Sequence, residues 1–458
     1  MERVKHRAPL LFSIALATAF AGQPLSLAAT SQQQPTEKQI AEYTQSPEPQ
    51  RVRLLILLSK TGQHELAAQL LADYPLQDQF ANNRTLYIEG LILKARKDYT
   101  GAATKFRAAL ADDPKLTLVR SELAQTLVIL EQDDSAMHHL KLLAADAPNE
   151  QSAADVRAFI DQVDERRPYK LNGYVSLAPS TNVNNGSNHQ NVYSPFFQSN
   201  VSIDKSSQKT SGFGAATGAN IAYSKRLGNN FTFVAGANGE ARVYTDHDFN
   251  SYGLSQSAEL RYMLERGYLG LGGVASQSLK NDEIGLSYLA YGPRLSARYN
   301  VTAKDSVSSS IVHEWRDYTD SNSNDGTAIL FNAAWSHAID SSFNITVFGG
   351  FDRVDVETAQ FSFDTYSGGL NIYKELPLGI TTSLNGEVRV SDFEGYYALA
   401  GDYRDDTRMI GSATLTKRDF NILGFAPSLA YTYVNNFSNI ANYDYDSHAV
   451  DFRLTKDF

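Results

Sequence analysis

The chain has 458 residues, a formal net charge of −10 and no cysteine. The length leaves room for more than one domain, and the acidic balance argues against a nucleic-acid partner. The lack of cysteine excludes disulfides and a lipid-modified N-terminal cysteine. After the N-terminal segment no apolar run reaches the length of a membrane-spanning helix, so any further crossing of a membrane has to use β-strands.

The N-terminal segment, residues 1–29, has the pattern of a secretory signal peptide. Arg3, Lys5 and Arg7 precede an apolar run over residues 10–21, and small residues follow. A membrane-anchoring helix is the alternative, but the run is short and Pro24 interrupts the segment. Residues 30–50 are rich in Gln, Pro and Glu, which predicts a flexible linker.

Residues 51–167 have helical periodicity and predict a short helical domain. Gly90 is followed by Ala102, Phe106, Ala109 and Pro114, a spacing that resembles the tetratricopeptide repeat. In that repeat, small residues let two antiparallel helices approach closely, the aromatic ring fills their crossing, and proline stops the second helix. The pattern predicts a helical pair of this type.

The same spacing recurs 34 residues further on, which predicts a second unit. Its equivalent positions are Ala124, Ala136, Leu140 and Pro148. In the other direction only Ala68 matches, so residues 51–80 predict a divergent first unit. Residues 153–163 predict a closing helix that buries Val156, Phe159, Ile160 and Val163.

Repeats of this kind bind an extended peptide or a partner surface in a concave groove. We expect the groove to be lined by Arg84, Tyr87, Leu91, Lys94, Ser121 and Gln125. The alternative is that these residues are solvated faces of a spacer.

The rest of the chain, residues 168–458, alternates apolar and polar residues with a period of two. In the last segment Val450, Phe452 and Leu454 share one face, whereas Asp451 and Arg453 share the other. Fourteen such segments can be placed, each long enough to cross a bilayer when tilted. They predict a 14-stranded antiparallel transmembrane β-barrel that follows a short α-helical domain. A final strand that closes on Phe458 is typical of barrels that the barrel-assembly machinery inserts.

The predicted connections alternate between tight turns and longer polar loops, as in bacterial outer-membrane barrels. The tight turns lie near residues 228–229, 265–267, 302–304, 340–342, 377–379 and 418–419. The longer loops cover about residues 179–208, 245–249, 279–284, 318–325, 354–361, 393–402 and 435–444. With this alternation both chain ends of the barrel lie on the periplasmic side.

Four Glu-x-Arg pairs fall on the face that the register assigns to the lumen, and we expect three of them near the extracellular end. The pairs are Glu240 and Arg242, Glu259 and Arg261, Glu314 and Arg316, and Glu387 and Arg389. Their charges can pair across strands. A gate or a lining for a passing polypeptide and a purely structural set of ion pairs both remain open.

The first external loop is rich in Asn and Ser but carries Tyr193, Phe196 and Phe197. An inward plug, a contact with cargo and disorder are the open interpretations.

No catalytic, cofactor or metal site is predicted. Asp246-His247-Asp248 is the nearest catalytic candidate, but it lacks a paired nucleophile. The register places His313 and Trp315 towards lipid. His138 and His139 diverge by about 100° on a helix and cannot chelate as an i, i+4 pair.

The order of these parts resembles the Slam family, the surface lipoprotein assembly modulators, over about residues 50–458. The local motifs that carry the resemblance are Asn182-Val183-Asn184, Tyr291-Gly292-Pro293-Arg294-Leu295, Ala426-Pro427-Ser428-Leu429, Ser438-Asn439-Ile440 and Tyr443-Asp444-Tyr445. Within them Asn182, Asn184, Gly292, Pro293, Pro427, Ser438 and Asn439 are the candidate family positions.

The resemblance implies a translocator of type XI secretion in the outer membrane of a Gram-negative bacterium, with outer-membrane lipid around its barrel. Its client would be a surface lipoprotein or a related soluble secreted protein, moved without a cofactor. The periplasmic helical domain would engage the client or its chaperones. A polysaccharide exporter with tetratricopeptide repeats and a plain porin are the alternatives.

Overall fold

A computed structural model describes residues 36–166, 168–279, 286–319, 322–418, 420 and 425–456. The predicted signal peptide, the predicted loop at 280–284 and the terminal Phe458 lie outside these residues. The described part comprises an N-terminal helical region and a closed 14-stranded β-barrel, which confirms the predicted fold class. No helix in this part is long and apolar enough to cross a membrane.

The helical region contains eight helices within the described residues. They are α1 (Glu37–Gln45), α2 (Glu48–Lys60), α3 (His64–Asp73), α4 (Ala81–Ala95), α5 (Tyr99–Asp112), α6 (Thr117–Ile129), α7 (Asp133–Ala145) and α8 (Glu150–Arg166). Helix α1 lies inside residues 30–50, so the flexible linker predicted there is wrong for this part. Tyr43 of α1 is fully buried against the first helical pair, which explains why the segment is ordered.

The pairing of α4 with α5 follows the predicted spacing. Gly90 lies opposite Phe106, and a Cβ atom added at Gly90 would lie 2.4 Å from the ring. The two helices can therefore approach only because Gly90 has no side chain. Ala102 and Ala109 are fully buried beside the ring.

The second unit and the closing helix bury most of the predicted residues, but Phe159 and Ile160 of the closing helix are only partly buried. Ala124, Ala136 and Leu140 lie in the core, and α8 buries Val156 and Val163. In the first unit the fully buried alanine is Ala67, whereas the predicted Ala68 is only partly buried. The repeat spacing is thus offset by one residue in the divergent first unit.

The barrel strands are β1 (Tyr169–Leu177), β4 (Gly214–Gly228), β5 (Phe231–Tyr244), β6 (Ser251–Leu264), β7 (Gly267–Leu279), β8 (Leu286–Asn300), β9 (Asp305–Tyr318), β10 (Gly326–Asp340), β11 (Phe343–Val356), β12 (Phe363–Leu376), β13 (Ile380–Tyr397), β14 (Asp402–Lys417), β15 (Ala426–Ser438) and β16 (Tyr445–Thr455). A small separate hairpin, β2 (Asn191–Ser194) and β3 (Ser199–Ser202), lies in the first long loop. Each barrel strand pairs with its neighbours in the chain, and β1 closes the barrel against β16.

The predicted faces hold along the wall. Leu295, Trp315, Phe452 and Leu454 are exposed on the outside, whereas Asp451 is buried on the lumen side. Several connections have bounds other than those predicted. In one of them, predicted at 393–402, β13 continues to Tyr397 through a bulge and leaves only residues 398–401 as a loop. A bulge lets a strand continue past an irregular register, which a strict period of two does not anticipate.

Candidate functional site: the lumen and its two mouths

We call the barrel end beside the helical region the helix-side mouth, and the opposite end the loop-side mouth. The helical region lies against the helix-side mouth through α6 and α7. Arg120 donates to Glu375 at 2.6 Å, and His138 Nε2 lies 2.8 Å from the other carboxylate oxygen. We name Arg120, His138 and Glu375 the latch. It joins the helical region to the end of β12.

Arg120 is the largest side chain that is fully buried. It also donates to the Pro114 carbonyl at 2.5 Å and lies 3.2 Å from His139 Nδ1. A buried guanidinium requires such partners, because an unpaired charge away from water is strongly destabilising. The sequence reasoning missed this residue. The sequence did contain one indication of its role, because Arg120 is a charged residue next to Val119 on the apolar face of a repeat helix.

Exposed ion pairs also join the helical region to other parts of the rim of the mouth. Arg226 contacts Asp161 at 3.1 Å and Glu165 at 2.8 Å, and Lys115 lies 3.5 Å from Asp340. Each exposed pair contributes at most about 1 kcal/mol. Removing one partner of the buried latch is therefore expected to cost more than removing one of these exposed pairs.

Both latch-side histidines are neutral near neutral pH. Burial is the largest cause that lowers the pKa of His138 to about 4, and the nearby Arg418 and Arg120 add to it while Glu375 opposes it. Burial, His138 and Arg120 hold the pKa of His139 well below its usual value of 6.5.

We therefore expect the docked helical region to loosen as the pH falls from 6.5 towards 4. Over that range the undocked form, whose histidines have ordinary pKa values, binds protons that the docked form does not, so stability is lost on the acid side. An environment-sensitive fluorophore on Lys115→Cys would report the release, since the chain has no other cysteine. The matched H138Q/H139Q variant should show a flatter pH response, and an equal response in both would contradict the prediction.

Fewer residues than predicted can line the candidate client-binding groove. Tyr87 and Leu91 are 8% and 4% exposed and belong to the core of α4 and α5, so the prediction that they line a groove is wrong. Arg84 pairs with Asp78 at the start of α4.

The other three predicted groove residues lie together with two that were not predicted. Lys94 contacts Glu122 at 2.6 Å and Gln125 at 3.1 Å, and Lys60 contacts Glu122 at 2.7 Å. Ser121 lies within 3.5 Å of Gln125. Burial opposes ionisation of Glu122, but Lys94 and Lys60 outweigh it and lower the pKa of this carboxyl. These residues form one polar cluster on α2, α4 and α6.

The predicted lumen charges pair within strands rather than across them. Arg261 contacts Glu259, Arg316 lies 3.3 Å from Glu314, and Arg389 lies 2.7 Å from Glu387. Each bridge joins residues two apart on one strand, so the predicted cross-strand pairing is wrong for these three. Both residues of such a pair point into the lumen because side chains alternate along a strand.

The position of the charged pairs along the barrel agrees in part with the prediction. Glu240 and Arg242 lie near the loop-side end of β5, and Glu314 and Arg316 lie near that end of β9. Glu387 and Arg389 instead lie near the middle of β13, because this strand is longer than predicted.

Two further pairs do not have the pattern Glu-x-Arg and were therefore not predicted. Both use aspartate, and in one of them the arginine comes first. Arg404 donates to Asp406 at 2.5 Å, and Arg453 donates to Asp451 at 2.9 Å. A search for any acid and base two residues apart on the lumen face would have found both.

Hydrogen bonds hold the first external loop to two neighbouring connections at the loop-side mouth. Ser187 donates to the Ala441 carbonyl at 2.5 Å, His189 lies 2.8 Å from Asp444, and Ser194 donates to the Leu399 carbonyl at 2.6 Å. The loop leaves β1 and reaches the β15–β16 and β13–β14 connections, so it passes over the ends of β16, β15 and β14. Tyr193, Phe196 and Phe197 are exposed on its hairpin.

The family-like motif residues hold this loop and the wall. Asn182 is buried and bonds Gly186 twice and the Asp446 carbonyl once, at 2.9 to 3.0 Å. Asn184 donates to the Gln208 carbonyl at 2.8 Å and accepts from Thr210 at 3.1 Å. Asn439, in the β15–β16 connection, accepts from the Asp405 N–H and donates to the Tyr403 carbonyl at the start of β14, and the Ser438 hydroxyl accepts from Ile440.

The remaining motif residues lie in strands. A Cβ atom at Gly292 would lie 1.8 Å from the His313 carbonyl, so only glycine fits this close strand approach. Pro293 lies opposite Gly273, and Pro427 lies opposite Leu454.

Replacing Asn182 with alanine is expected to loosen the first external loop. The change leaves a buried Gly186 N–H and the Asp446 carbonyl without this partner, and each lost buried hydrogen bond costs about 1–3 kcal/mol. Protease cleavage between residues 183 and 208 on intact cells would measure the loosening. The exposed Asn200→Ala on β3 is the matched control and should cleave like the parent; equal cleavage of both variants would refute the role of Asn182.

The catalytic candidate does not assemble. Asp246 accepts from the backbone N–H of Asp248 and so caps a short turn, while His247 Nδ1 lies 3.5 Å from the Asn250 amide. Among the described residues no group of three or more His, Asp or Glu side chains could hold a metal ion. His138 and His139 serve the latch.

A closed 14-stranded barrel with an apolar outer wall, a charged lumen and aligned long loops defines an outer-membrane β-barrel of the Gram-negative type. Residues 169–458 match the family described as surface lipoprotein assembly modifier, which covers the whole barrel. The chain belongs to this family, as its sequence motifs predicted.

One curated relative and several solved barrels are similar to the chain. Surface lipoprotein assembly modifier 1 of Haemophilus influenzae is 21% identical over 414 residues, which cover 86% of this chain and 81% of the relative. Salmonella typhi OmpF is 10% identical with a TM-score of 0.35, over 63% of this chain and 97% of OmpF. The translocator domain of NalP from Neisseria meningitidis is 11% identical with a TM-score of 0.28, over 68% and 98%.

Proposed function

We propose that this protein is an outer-membrane translocator that delivers a client lipoprotein, or a related soluble protein, from the periplasm to the cell surface. Residues 1–29 export the chain as a signal peptide, and the helix-side mouth faces the periplasm. The helical region there receives the client, alone or with a chaperone. The family and its Haemophilus relative are both named for surface lipoprotein assembly, which supports this class of client.

The observation that carries the proposal is the docking of the helical region on the helix-side mouth. Arg120 and His138 bind Glu375 at the end of β12, so the region stands where a client would enter the lumen. A plain porin has no use for such a region. A polysaccharide exporter is disfavoured because the lumen charges are paired in opposite signs rather than gathered in one sign.

The polar cluster of Lys60, Lys94, Glu122, Ser121 and Gln125 is the surface we assign to client binding. It brings two cations, a carboxylate and an amide together from three helices, α2, α4 and α6, which suits the backbone and charged groups of an extended polypeptide. Transport through the lumen requires no cofactor and no covalent chemistry.

Surface exposure of candidate lipoproteins on intact cells tests the proposal. In a strain that lacks this gene, an antibody or protease should no longer reach the client, while the total amount of client stays the same. A K94A/Q125A variant should show a partial loss, whereas the exposed Lys105→Ala on α5 should not. If every lipoprotein is equally exposed with and without the gene, the proposal fails and glycan or solute export takes its place.

A further inference from the structure

The joint between the first and last strands differs from every other joint of the barrel. The β1–β16 ladder covers only Tyr174–Leu177, whereas the β1–β4 ladder on the other side of β1 covers all of Tyr169–Leu177. The other ladders are longer still; the β14–β15 ladder, for example, runs over residues 406–416 of β14. We call the β1–β16 joint the seam.

Two features keep the seam short within the described residues. Towards the loop-side mouth β1 ends before Pro179, which has no N–H to donate. Beyond it the contact with β16 continues without a regular ladder: Val450 donates to the Pro179 carbonyl at 3.1 Å, Thr181 donates to the His448 carbonyl at 2.9 Å, and Ser180 bridges Ala449. Towards the helix-side mouth β16 ends at Thr455, and the bond from Lys456 to the Gly173 carbonyl at 2.8 Å is the last contact. Within the described residues, which end at residue 456, Tyr169–Asn172 pair with β4 alone.

Side-chain contacts cross the seam on the lumen side, and beyond the ladder Asn182 donates to the Asp446 carbonyl and the Ser447 hydroxyl donates to the Asn182 carbonyl. Ser176 donates to Asp451 at 3.2 Å, and the Arg453 guanidinium lies 4.9 Å from the centre of the Tyr174 ring. Arg453 and Asp451 pair with one another on β16, so parting the strands leaves no unpaired charge. Among the described residues the seam has the shortest ladder of any joint of the barrel.

The outer surface beside the seam is an apolar groove of about 830 Å³. Val175 and Leu177 line it from β1, Phe452 and Leu454 from β16, and Leu429 from β15. These side chains are exposed on the lipid-facing wall, in the half of the barrel nearer the helix-side mouth. The groove is continuous with the seam and open to the surrounding lipid.

A lipid-anchored client poses a physical problem that the seam can solve. Its polypeptide is compatible with a polar lumen, but its acyl chains are not, because each methylene group moved from lipid into a charged, hydrated channel is unfavourable. The lumen wall carries Glu259, Glu314 and Glu387 with their arginine partners. The chains can stay in the bilayer only if the wall parts at one joint.

We propose that the seam is the binding and passage site for the lipid anchor of a client, with the acyl chains in the outer groove while the polypeptide uses the lumen. The linkage between the two then runs between β1 and β16. This inference rests on the proposed function for its client, but it is a separate statement about where a diacylglyceryl group contacts the barrel.

A reversible lock across the seam tests the proposal in cells. Val175 lies directly opposite Leu454, and both face lipid, so V175C/L454C has a spacing that a disulfide can bridge in a chain without native cysteine. The matched control L415C/L429C joins β14 to β15 in the same groove and leaves the seam free.

The client is the lipoprotein that loses surface exposure in the deletion strain, used in its lipidated form and with its anchor cysteine replaced. The oxidised seam variant should lose display of the lipidated client, regain it on reduction, and still display the form without lipid. The control variant should display both. Normal display of the lipidated client by the oxidised seam variant would overturn the proposal while leaving the proposed function intact.

A second measurement needs no client and decides the question even if no lipoprotein responds to the deletion. The full chain in phospholipid vesicles is illuminated with a synthetic diacylglyceryl-cysteine peptide that carries a photoreactive residue beside the lipidated cysteine. Adducts should concentrate on β1 and β16, several-fold above the opposite wall of β10 and β11, and should disappear with the unacylated peptide. Adducts spread evenly around the barrel would overturn the proposal.

Discussion

Replacing Arg120 with alanine is expected to release the helical region from the helix-side mouth. The Arg120 side chain is 0% exposed and Glu375 is 11% exposed, so the change leaves a carboxylate nearly buried without its guanidinium partner. Removing one partner of a buried ion pair typically costs about 3–5 kcal/mol. The Pro114 carbonyl and His139 also lose the hydrogen bonds that Arg120 donates to them.

The release can be measured by trypsin at the junction of the two parts, where Arg166 and Lys170 flank residues 167–169. Cleavage should be much faster in Arg120→Ala than in the parent. The matched control is Arg226→Ala, which also removes an arginine between the helical region and the barrel, but one whose side chain is 48% exposed. That variant should cleave almost like the parent, and equal cleavage of the two variants would show that the latch is not special.

Replacing Phe106 with alanine is expected to cost the helical region about 3–5 kcal/mol, the usual range for removing a fully buried phenylalanine. The ring fills the crossing of α4 and α5 and contacts Tyr87 with a centroid distance of 6.2 Å. Loss of the ring therefore opens a cavity between α4 and α5, two helices that approach closely because Gly90 has no side chain.

Gly90→Ala tests the same contact from the other side, because its Cβ would lie 2.4 Å from the ring. Overpacking of this kind costs about 1–3 kcal/mol. The double variant G90A/F106A should cost less than the sum of the single variants, since the new methyl group enters the cavity. Thermal unfolding of the full chain, followed by helical circular dichroism, gives all three values. Additive costs would contradict the contact, and the exposed Leu118→Ala on α6 serves as the control.

The barrel was predictable from the sequence because its physics is local. A period of two determines which residues contact lipid. Phe452 and Trp315 are exposed on the outer wall, whereas their neighbours Asp451 and Glu314 are buried on the lumen side. The spacing of Gly90 and Phe106 likewise fixes one helix crossing. Where the period is broken, prediction fails, as at the bulge that carries β13 on to Tyr397.

The latch was not predictable, since it joins residues 255 positions apart in the sequence, Arg120 and Glu375. Neither residue looks unusual alone, and only the docking of α6 on the mouth brings them together. The lumen ion pairs were located on the correct face but given the wrong partners. Whether an arginine pairs with an acid on its own strand or on the next strand depends on side-chain rotamers, which the alternation of residues along a strand does not determine.

The pairing of lumen charges within single strands has a consequence for ions. Opposite charges two residues apart cancel in the pairs Glu259 and Arg261, Glu314 and Arg316, and Asp451 and Arg453. At these pairs the wall therefore presents small dipoles rather than a ring of charges of one sign. The field of such dipoles falls off faster with distance than that of a net charge. A channel opened through this barrel should therefore conduct cations and anions with little preference, and segments of either charge should experience similar electrostatics along its length.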